Sequence, residues 1–262
     1  MKKIWLSLFV VAGLVSLAVA DFDAGTEAYL RGDYAAALAA WKPLAQQGLA
    51  SAQFAMGSLY VRGDGVERDL AEAVKWTRLA AEQGHAQAQS VLASMHYRGE
   101  GVERSHTEAL KWFRHAAGQG EPQAQYGLGI LYLEGHGVPQ DSTEAAVWFR
   151  EAAEQGQLTA QYNLGVLYFR GTGVEQSYSE AHRWYHSAAD RGMAEAQIAL
   201  AVMYVSGRGV ERDFVKAYYW FGVAAKNGSD PAQLGLEKSA ELLTPEQREQ
   251  VLLQIEAWTP IQ

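Results

Sequence analysis

Two histidines, His182 and His186, are the residues of this chain whose spacing most resembles a metal site. On a predicted helix, imidazoles four residues apart can bind one metal ion. The nearest acidic residues are Glu180 and Asp190, and no H-E-x-x-H pattern supplies a further ligand or a base. The positions equivalent to His186 in other copies carry arginine, at Arg78, Arg114 and Arg150. We therefore predict surface histidines, with no metal and no other cofactor.

A glycine-rich segment, GDGVERD at residues 63–69, resembles a loop that cradles phosphate. The same frame returns as GEGV at 99, GHGV at 135, GTGV at 171 and GRGV at 207, and the residue between the glycines differs in every copy. A ligand site would preserve one chemistry there. We predict instead that the first glycine ends a helix in the left-handed conformation and that the second permits another tight bend.

These loops recur every 36 residues (99 − 63 = 36), which is typical of a stack of similar helical units. Each unit contains two predicted helices, and neither can bury its apolar face without a neighbouring unit. The first helix has a face with spacing i, i+4, i+7 and i+8, represented by Ala52, Met56, Leu59 and Tyr60. The second has a face represented by Ala109, Trp112, Phe113, Ala116 and Ala117.

The second helices begin at predicted capping boxes, in which two side chains bond to free amides of the first turn. The pairs are Asp69 with Glu72, Ser105 with Glu108, Asp141 with Glu144, and Ser177 with Glu180. The predicted organisation is a leader at 1–20, an N-terminal capping repeat at 21–48, five repeats at 49–84, 85–120, 121–156, 157–192 and 193–228, and C-terminal capping helices at 229–262.

The first 20 residues have the order of a secretory signal peptide. Lys2 and Lys3 precede an apolar run, and Ala18-Val19-Ala20 precedes Asp21, so we expect cleavage after Ala20 and a periplasmic or secreted chain. Loss of two lysines leaves 20 basic and 30 acidic residues, a net charge of −10 (22 − 2 − 30 = −10). This charge argues against nucleic acid as a partner, and the absence of cysteine excludes disulfides and thiolate metal sites.

The segment AQYNLGVLYFRGTGVEQSYSEAHRWYHSAADRG at residues 160–192 resembles the Sel1-like repeat, a relative of the tetratricopeptide repeat. The resemblance covers residues 48–228, with small departures at Ala93, Ala201 and His96. It implies an all-α fold, a right-handed superhelical α-solenoid of antiparallel helix pairs, and work as an adaptor that assembles other proteins. It implies no particular chemistry, because fold and function are separate inferences.

Some disulfide-rich secreted members of the family have been linked to β-lactam binding or hydrolysis, and that chemistry has recognisable sequence motifs. Those members carry paired cysteines, which this chain does not have. The motifs S-x-x-K, SDN, KTG and G-x-S-x-G are all absent from the sequence. We therefore predict that the chain is not an enzyme.

The first helices supply the candidate binding surface. If the stacking is tetratricopeptide-like, these helices line the concave side, and their columns not needed for packing point into it. Those columns are apolar and aromatic with arginines beside them, which suits a groove that binds a peptide. The candidate residues are Tyr97, Tyr126, Ile130, Leu133, Tyr162, Val166 and Phe169, with Arg98 and Arg170 as charged guides. The alternative is that these columns pack against adjacent helices.

The sequence thus favours an exported, non-catalytic adaptor that binds a protein or peptide partner in the cell envelope. Aromatic stacking in the same groove would equally serve a binder of peptidoglycan or glycan fragments. A β-lactam-directed hydrolase is the remaining alternative. No segment after residue 20 has the roughly 20 consecutive apolar residues that a membrane span requires.

Overall fold

The computed structural model describes residues 21–261, which are built from fourteen α-helices and contain no β-strand. The predicted leader at 1–20 lies outside the described residues. Helix α1 covers residues 21–30. The others are α2 Tyr34–Gln46, α3 Ala50–Arg62, α4 Leu70–Glu82, α5 Ala86–Arg98, α6 His106–Ala117, α7 Pro122–Glu134, α8 Ser142–Glu154, α9 Leu158–Arg170, α10 Tyr178–Asp190, α11 Ala194–Ser206, α12 Phe214–Lys226, α13 Asp230–Ala240 and α14 Pro245–Ala257.

The helices alternate between two roles, as predicted. The first helices (α3, α5, α7, α9 and α11) each end at a glycine loop, and the second helices (α4, α6, α8, α10 and α12) each follow one. The chain divides into two compact units, one ending at Ala124 and the other beginning at Gln125. In the first unit α3 packs on α2 and α4, and α5 on α4 and α6. In the second, α9 packs on α8 and α10, and α11 on α10 and α12. No helix among these residues is both long and apolar enough to cross a membrane.

Each unit has its own apolar core, formed by the faces that the sequence predicts. In the first unit Met56 and Leu59 are buried with Trp41. In the second, Phe149 and Leu164 are fully buried, and the alanines of the second helices keep neighbouring backbones close. Full burial of a side chain of this size contributes about 1.5–3 kcal/mol, so repetition of one pattern accumulates the stability of the fold.

Both glycines of each loop have positive φ, but for different reasons. Gly171 ends α9 with φ +70° and donates its amide to the carbonyl of Leu167, which is the predicted left-handed helix end. Gly173 also has φ +70°, and a Cβ there would overlap the carbonyl oxygen of Ser142, the first residue of α8. The second glycine therefore allows the loop backbone to contact the preceding second helix. The same close approach occurs between Gly101 and Leu70.

Each predicted capping box forms only one of its two expected hydrogen bonds. The N-cap side chain accepts the expected backbone amide, but the glutamate side chain does not bond back to the N-cap. The Asp141 carboxylate accepts the amide of Glu144 at 3.0 Å, as expected for an N-cap. The amide of Asp141, however, already donates to the carbonyl of Tyr132 at 2.8 Å, so the Glu144 side chain is not needed there. It accepts the Trp148 indole N–H instead, at 3.0 Å. Equivalent amide bonds occupy the other three predicted boxes, from Asp69, Ser105 and Ser177.

The C-terminal helices α13 and α14 both pack on α12. A reciprocal capping box does form at the start of α14. The Thr244 hydroxyl accepts the backbone N–H of Gln247, and the Gln247 side-chain oxygen accepts the backbone N–H of Thr244. At the end of α14, the Lys226 ammonium donates to the carbonyls of Ile255 at 3.0 Å and Glu256 at 2.6 Å. These bonds satisfy carbonyls that the helix itself leaves without a partner.

A column of buried glutamines, which the sequence analysis did not single out, connects successive repeats. The Nε2 of Gln53 donates to the carbonyl of Ala45, eight residues earlier, and its Oε1 accepts from Gln83. Both bonds recur at Gln89, but the donor position that is Gln83 in the first repeat is Arg191 in the fourth and Asn227 in the last. The Oε1 of Gln197 consequently has no hydrogen-bond partner among the described residues.

We expect Gly173→Ala to lower the free energy of unfolding by about 3 kcal/mol, because the change adds left-handed strain and a clash with the Ser142 carbonyl. The matched control is Gly228→Ala, where φ is +85° but nothing lies within 4 Å of the new methyl group. This control should lose only about 1 kcal/mol. Urea unfolding followed by helical circular dichroism measures both, and equal losses would contradict the close approach.

We expect Asn227→Gln to stabilise the chain by about 1 kcal/mol, because the longer amide can donate to the unpaired Oε1 of Gln197. The control is Asn227→Gln combined with Gln197→Leu, where that acceptor is absent. The double variant should be no more stable than Gln197→Leu alone. A gain that persists in the double variant would show that the hydrogen bond is not its cause.

Candidate functional site

The candidate surface is best defined in the second unit, on the first helices α7, α9 and α11. Each helix places three apolar side chains at spacing i, i+4 and i+7, which is one side of a helix. We call these nine residues the apolar face; all of them are half-buried or exposed. They are Tyr126, Ile130 and Leu133 on α7, Tyr162, Val166 and Phe169 on α9, and Ile198, Val202 and Val205 on α11.

The aromatic rings of the apolar face rest on the second helices beneath them. The Tyr126 ring lies 5.7 Å from that of Phe149, and the Tyr162 ring lies 5.7 Å from that of Tyr185. One side of each ring thus packs on the core while the residue remains only partly buried. The alternative interpretation, in which these columns pack against adjacent helices, therefore describes one side of the Tyr126 and Tyr162 rings. This packing fixes the rings in place and leaves part of each accessible to a ligand.

Polar contacts link the helices that carry this face. The Asn163 side chain on α9 bonds to the Tyr126 hydroxyl on α7. Burial raises the pKa of Tyr126, and this hydrogen bond opposes part of the rise. The guanidinium of Arg208, in the loop after α11, lies 5.7 Å from the centre of the Phe169 ring on α9. Successive first helices are therefore in register along the apolar face.

The positive charge on this surface is available to a ligand. Burial raises the pKa of Tyr185, and the neighbouring Tyr162 raises it further. The Arg170 guanidinium opposes the rise, so its charge reaches the pair of tyrosine rings. Arg170 is exposed and forms no ion pair with any described residue. An arginine in this state can bind a carboxylate through two parallel hydrogen bonds.

The candidate residues of the first unit have different surroundings. Tyr97 is half-buried, with its ring 5.3 Å from that of His106. Arg98 is exposed but already pairs with Glu100 at 2.8 Å. The position equivalent to Tyr126 is Ser90 on α5, which is buried. The equivalent columns are therefore less aromatic in α5 than in α7 and α9.

The paired histidines each have a protein partner. The Nε2 of His182 lies 3.2 Å from the Tyr204 hydroxyl, and the Nδ1 of His186 lies 2.9 Å from the Asp190 carboxylate. Burial lowers the pKa of His182, and the adjacent His186 adds to the effect. Within residues 21–261, no group of three or more His, Cys, Asp or Glu side chains is arranged to hold a metal ion.

Sequence reasoning did not include Arg208 and Asn163 in the site. Arg208 is the variable residue between the two glycines of its loop, so its position suggested no role. Asn163 follows Tyr162 directly and belongs to no apolar column. Only the distance between neighbouring first helices brings these two side chains to the apolar face.

Comparison with known proteins agrees with this architecture. The Sel1 repeat model matches residues 50–85, 86–121, 122–157, 158–193 and 194–229. A Sel1 repeat protein from Oxalobacter formigenes is 34% identical with a TM-score of 0.77, and the match covers 90% of this chain and 96% of that one. The protein c5321, a protective antigen of uropathogenic Escherichia coli strains displaying an SLR fold, is 35% identical with a TM-score of 0.80.

The match to c5321 covers 90% of this chain but only 52% of that protein's length. A putative Sel1 repeat protein from Klebsiella pneumoniae, at 19% identity and a TM-score of 0.51, shares the fold alone. No curated protein matches the chain. Five matched repeats that span most of the sequence, arranged as helix pairs in the structure, show that this chain belongs to the Sel1 repeat family.

Proposed function

We propose that this protein is a non-catalytic adaptor whose apolar face binds a peptide segment of another protein. The Sel1 repeat is a fold for protein–protein interaction, and the apolar face gives that general role a location. One observation carries the proposal: half-buried or exposed aromatic and aliphatic side chains line up on α7, α9 and α11 beside Arg170, which has no carboxylate partner among the described residues.

The chemistry of the face indicates which peptide it would bind. Apolar grooves with charged edges hold apolar side chains as anchors and orient the peptide through polar contacts. The chain as a whole has a net charge of −8, so the free arginine contrasts with an acidic molecule. A partner segment with bulky apolar residues and a nearby Asp or Glu fits this pattern.

We further propose that the adaptor works in the cell envelope, after export and cleavage following Ala20. The support is the order of the first 20 residues: basic, apolar, then small. The absence of cysteine is compatible with this compartment, because clusters of buried apolar side chains form the cores of both units without disulfides.

We expect a photo-crosslinking residue at Val202 to capture a partner that the same residue at Val147 does not. Val147 is the matched control, because the exposed fractions of Val202 and Val147 are 46% and 42%. Val202 lies on the apolar face, whereas Val147 lies on the second helix α8. In the Val202 background, Tyr162→Ala should weaken capture about tenfold or more, as removal of an aromatic anchor usually does. Circular dichroism would show that the helices persist.

Capture at both valines, or unchanged capture by Tyr126→Ala and Tyr162→Ala, would contradict the apolar face as the binding site. Muropeptides added as competitors distinguish the glycan alternative, because they would displace the partner or bind in its place. Turnover of a chromogenic β-lactam by the purified chain would contradict the non-catalytic assignment.

Export is tested independently of binding. When the full chain is expressed in a Gram-negative host, we expect mass spectrometry of the periplasmic fraction to give an N-terminus at Asp21. Ala18→Lys should block processing, because the cleavage site requires small residues. An uncleaved chain recovered from the cytosol would contradict the envelope assignment and leave the adaptor proposal intact.

A further inference from the structure

A recess of about 380 Å³ lies in the first unit, between α1, α2, α3 and the start of α5. The repeat pattern does not predict this recess, because α1 and α2 lack the long glycine loop of the later repeats. Its volume is at the low end for a small-ligand pocket and suits one large side chain better than a whole peptide. The residues that determine its chemistry are Phe22, Tyr29, Trp41, Phe54, Arg62 and His85.

The apolar walls of the recess are fixed by contacts among themselves. Trp41 is only 5% exposed, and its indole N–H donates to the carbonyl of Phe22 at 3.1 Å. The Phe22 ring stacks on Trp41 at 5.9 Å, and Tyr29 lies 5.7 Å from the same indole. On the opposite helix, Phe54 lies 4.9 Å from the His85 ring. The aromatic site is therefore preformed, which would limit the entropy that a ligand loses on binding.

The polar groups of the recess include an arginine with spare donors. Arg62 is exposed and donates one N–H to the Tyr29 hydroxyl at 2.6 Å, and that hydroxyl in turn donates to Asp64 at 3.0 Å. Arg62 forms no ion pair among the described residues, and Asp64 does not line the recess. The guanidinium therefore keeps N–H groups free for an anion.

His85 adds a second donor. Its Nδ1 accepts the backbone amide of Ala88 at 3.2 Å, as the N-cap of α5. Burial lowers the pKa of His85, which favours the neutral ring at pH 7. A neutral imidazole that accepts at Nδ1 carries its hydrogen on Nε2, so this histidine also presents a donor.

We propose that this recess binds the carboxyl-terminal residue of a peptide, with a large apolar side chain between the aromatic walls and its α-carboxylate on Arg62. The apolar walls and the arginine line one recess of single-residue size, so a single residue that carries both an apolar side chain and a carboxylate fits it. Only the last residue of a chain carries an α-carboxylate next to an apolar side chain. The site is separate from the apolar face, and either proposal can fail without the other.

The test uses three acetylated hexapeptides titrated into the full-length expressed chain by isothermal calorimetry or NMR. The first is Gly-Ser-Gly-Ser-Gly-Phe with a free carboxylate, the second is its carboxamide, and the third moves Phe to the third position and keeps a free terminus. We expect the first to bind about tenfold tighter than each of the others, since charge-assisted hydrogen bonds are roughly twice as strong as neutral ones and the other peptides lose one group.

Two variants locate the effect, and a third serves as the control. Arg62→Gln should abolish the preference for the free carboxylate, and Ala55→Phe, which fills the recess without removing a core contact, should abolish binding. Arg104→Gln removes an exposed arginine that lines neither the recess nor the apolar face, and it should leave all three affinities unchanged. Equal binding of acid and amide by the unmodified chain, or an acid preference that survives Arg62→Gln, would overturn the proposal.

Discussion

The stacking of this protein depends on backbone contacts that only glycine permits. In both units the second glycine of a loop lies against the first residue of the preceding second helix, as Gly101 does with Leu70 and Gly173 with Ser142. A side chain there would push neighbouring repeats apart, and positive φ would strain it further. The spacing of the first helices, and hence every surface that they form, follows from this contact.

Buried hydrogen bonds reinforce the same spacing. Four glutamines of the column, Gln53, Gln89, Gln161 and Gln197, donate a side-chain amide to a backbone carbonyl near the end of the preceding helix, which connects one repeat to the next. A buried amide that loses a partner costs more than the bond contributes when it forms, so this column specifies one arrangement of the helices. The column is incomplete at Gln161 and Gln197, toward the C-terminal end.

Rigid packing also explains how one repeat produces two different surfaces. On α9, Tyr162 rests on Tyr185, so its exposed side joins a broad apolar face beside Arg170. In the first unit, α1 and α2 replace a complete repeat, and their aromatic rings enclose a small recess with Arg62 in its lining. Both surfaces combine apolar contact with a guanidinium that forms no ion pair within the described part of the chain. They differ in size, and therefore in the ligand that each can hold.

The sequence by itself determined the repeat, the helix pairs and the loop glycines, because each depends on local spacing that a period of 36 residues makes visible. It also identified the apolar columns of α7 and α9, since helical periodicity separates one side of a helix from another. Tertiary structure decided the rest. The carbonyl of Tyr132 accepts the Asp141 amide, so Glu144 does not complete its capping box. Trp41 and residues of three other helices enclose a recess. Both contacts depend on distances between segments, which no local pattern encodes.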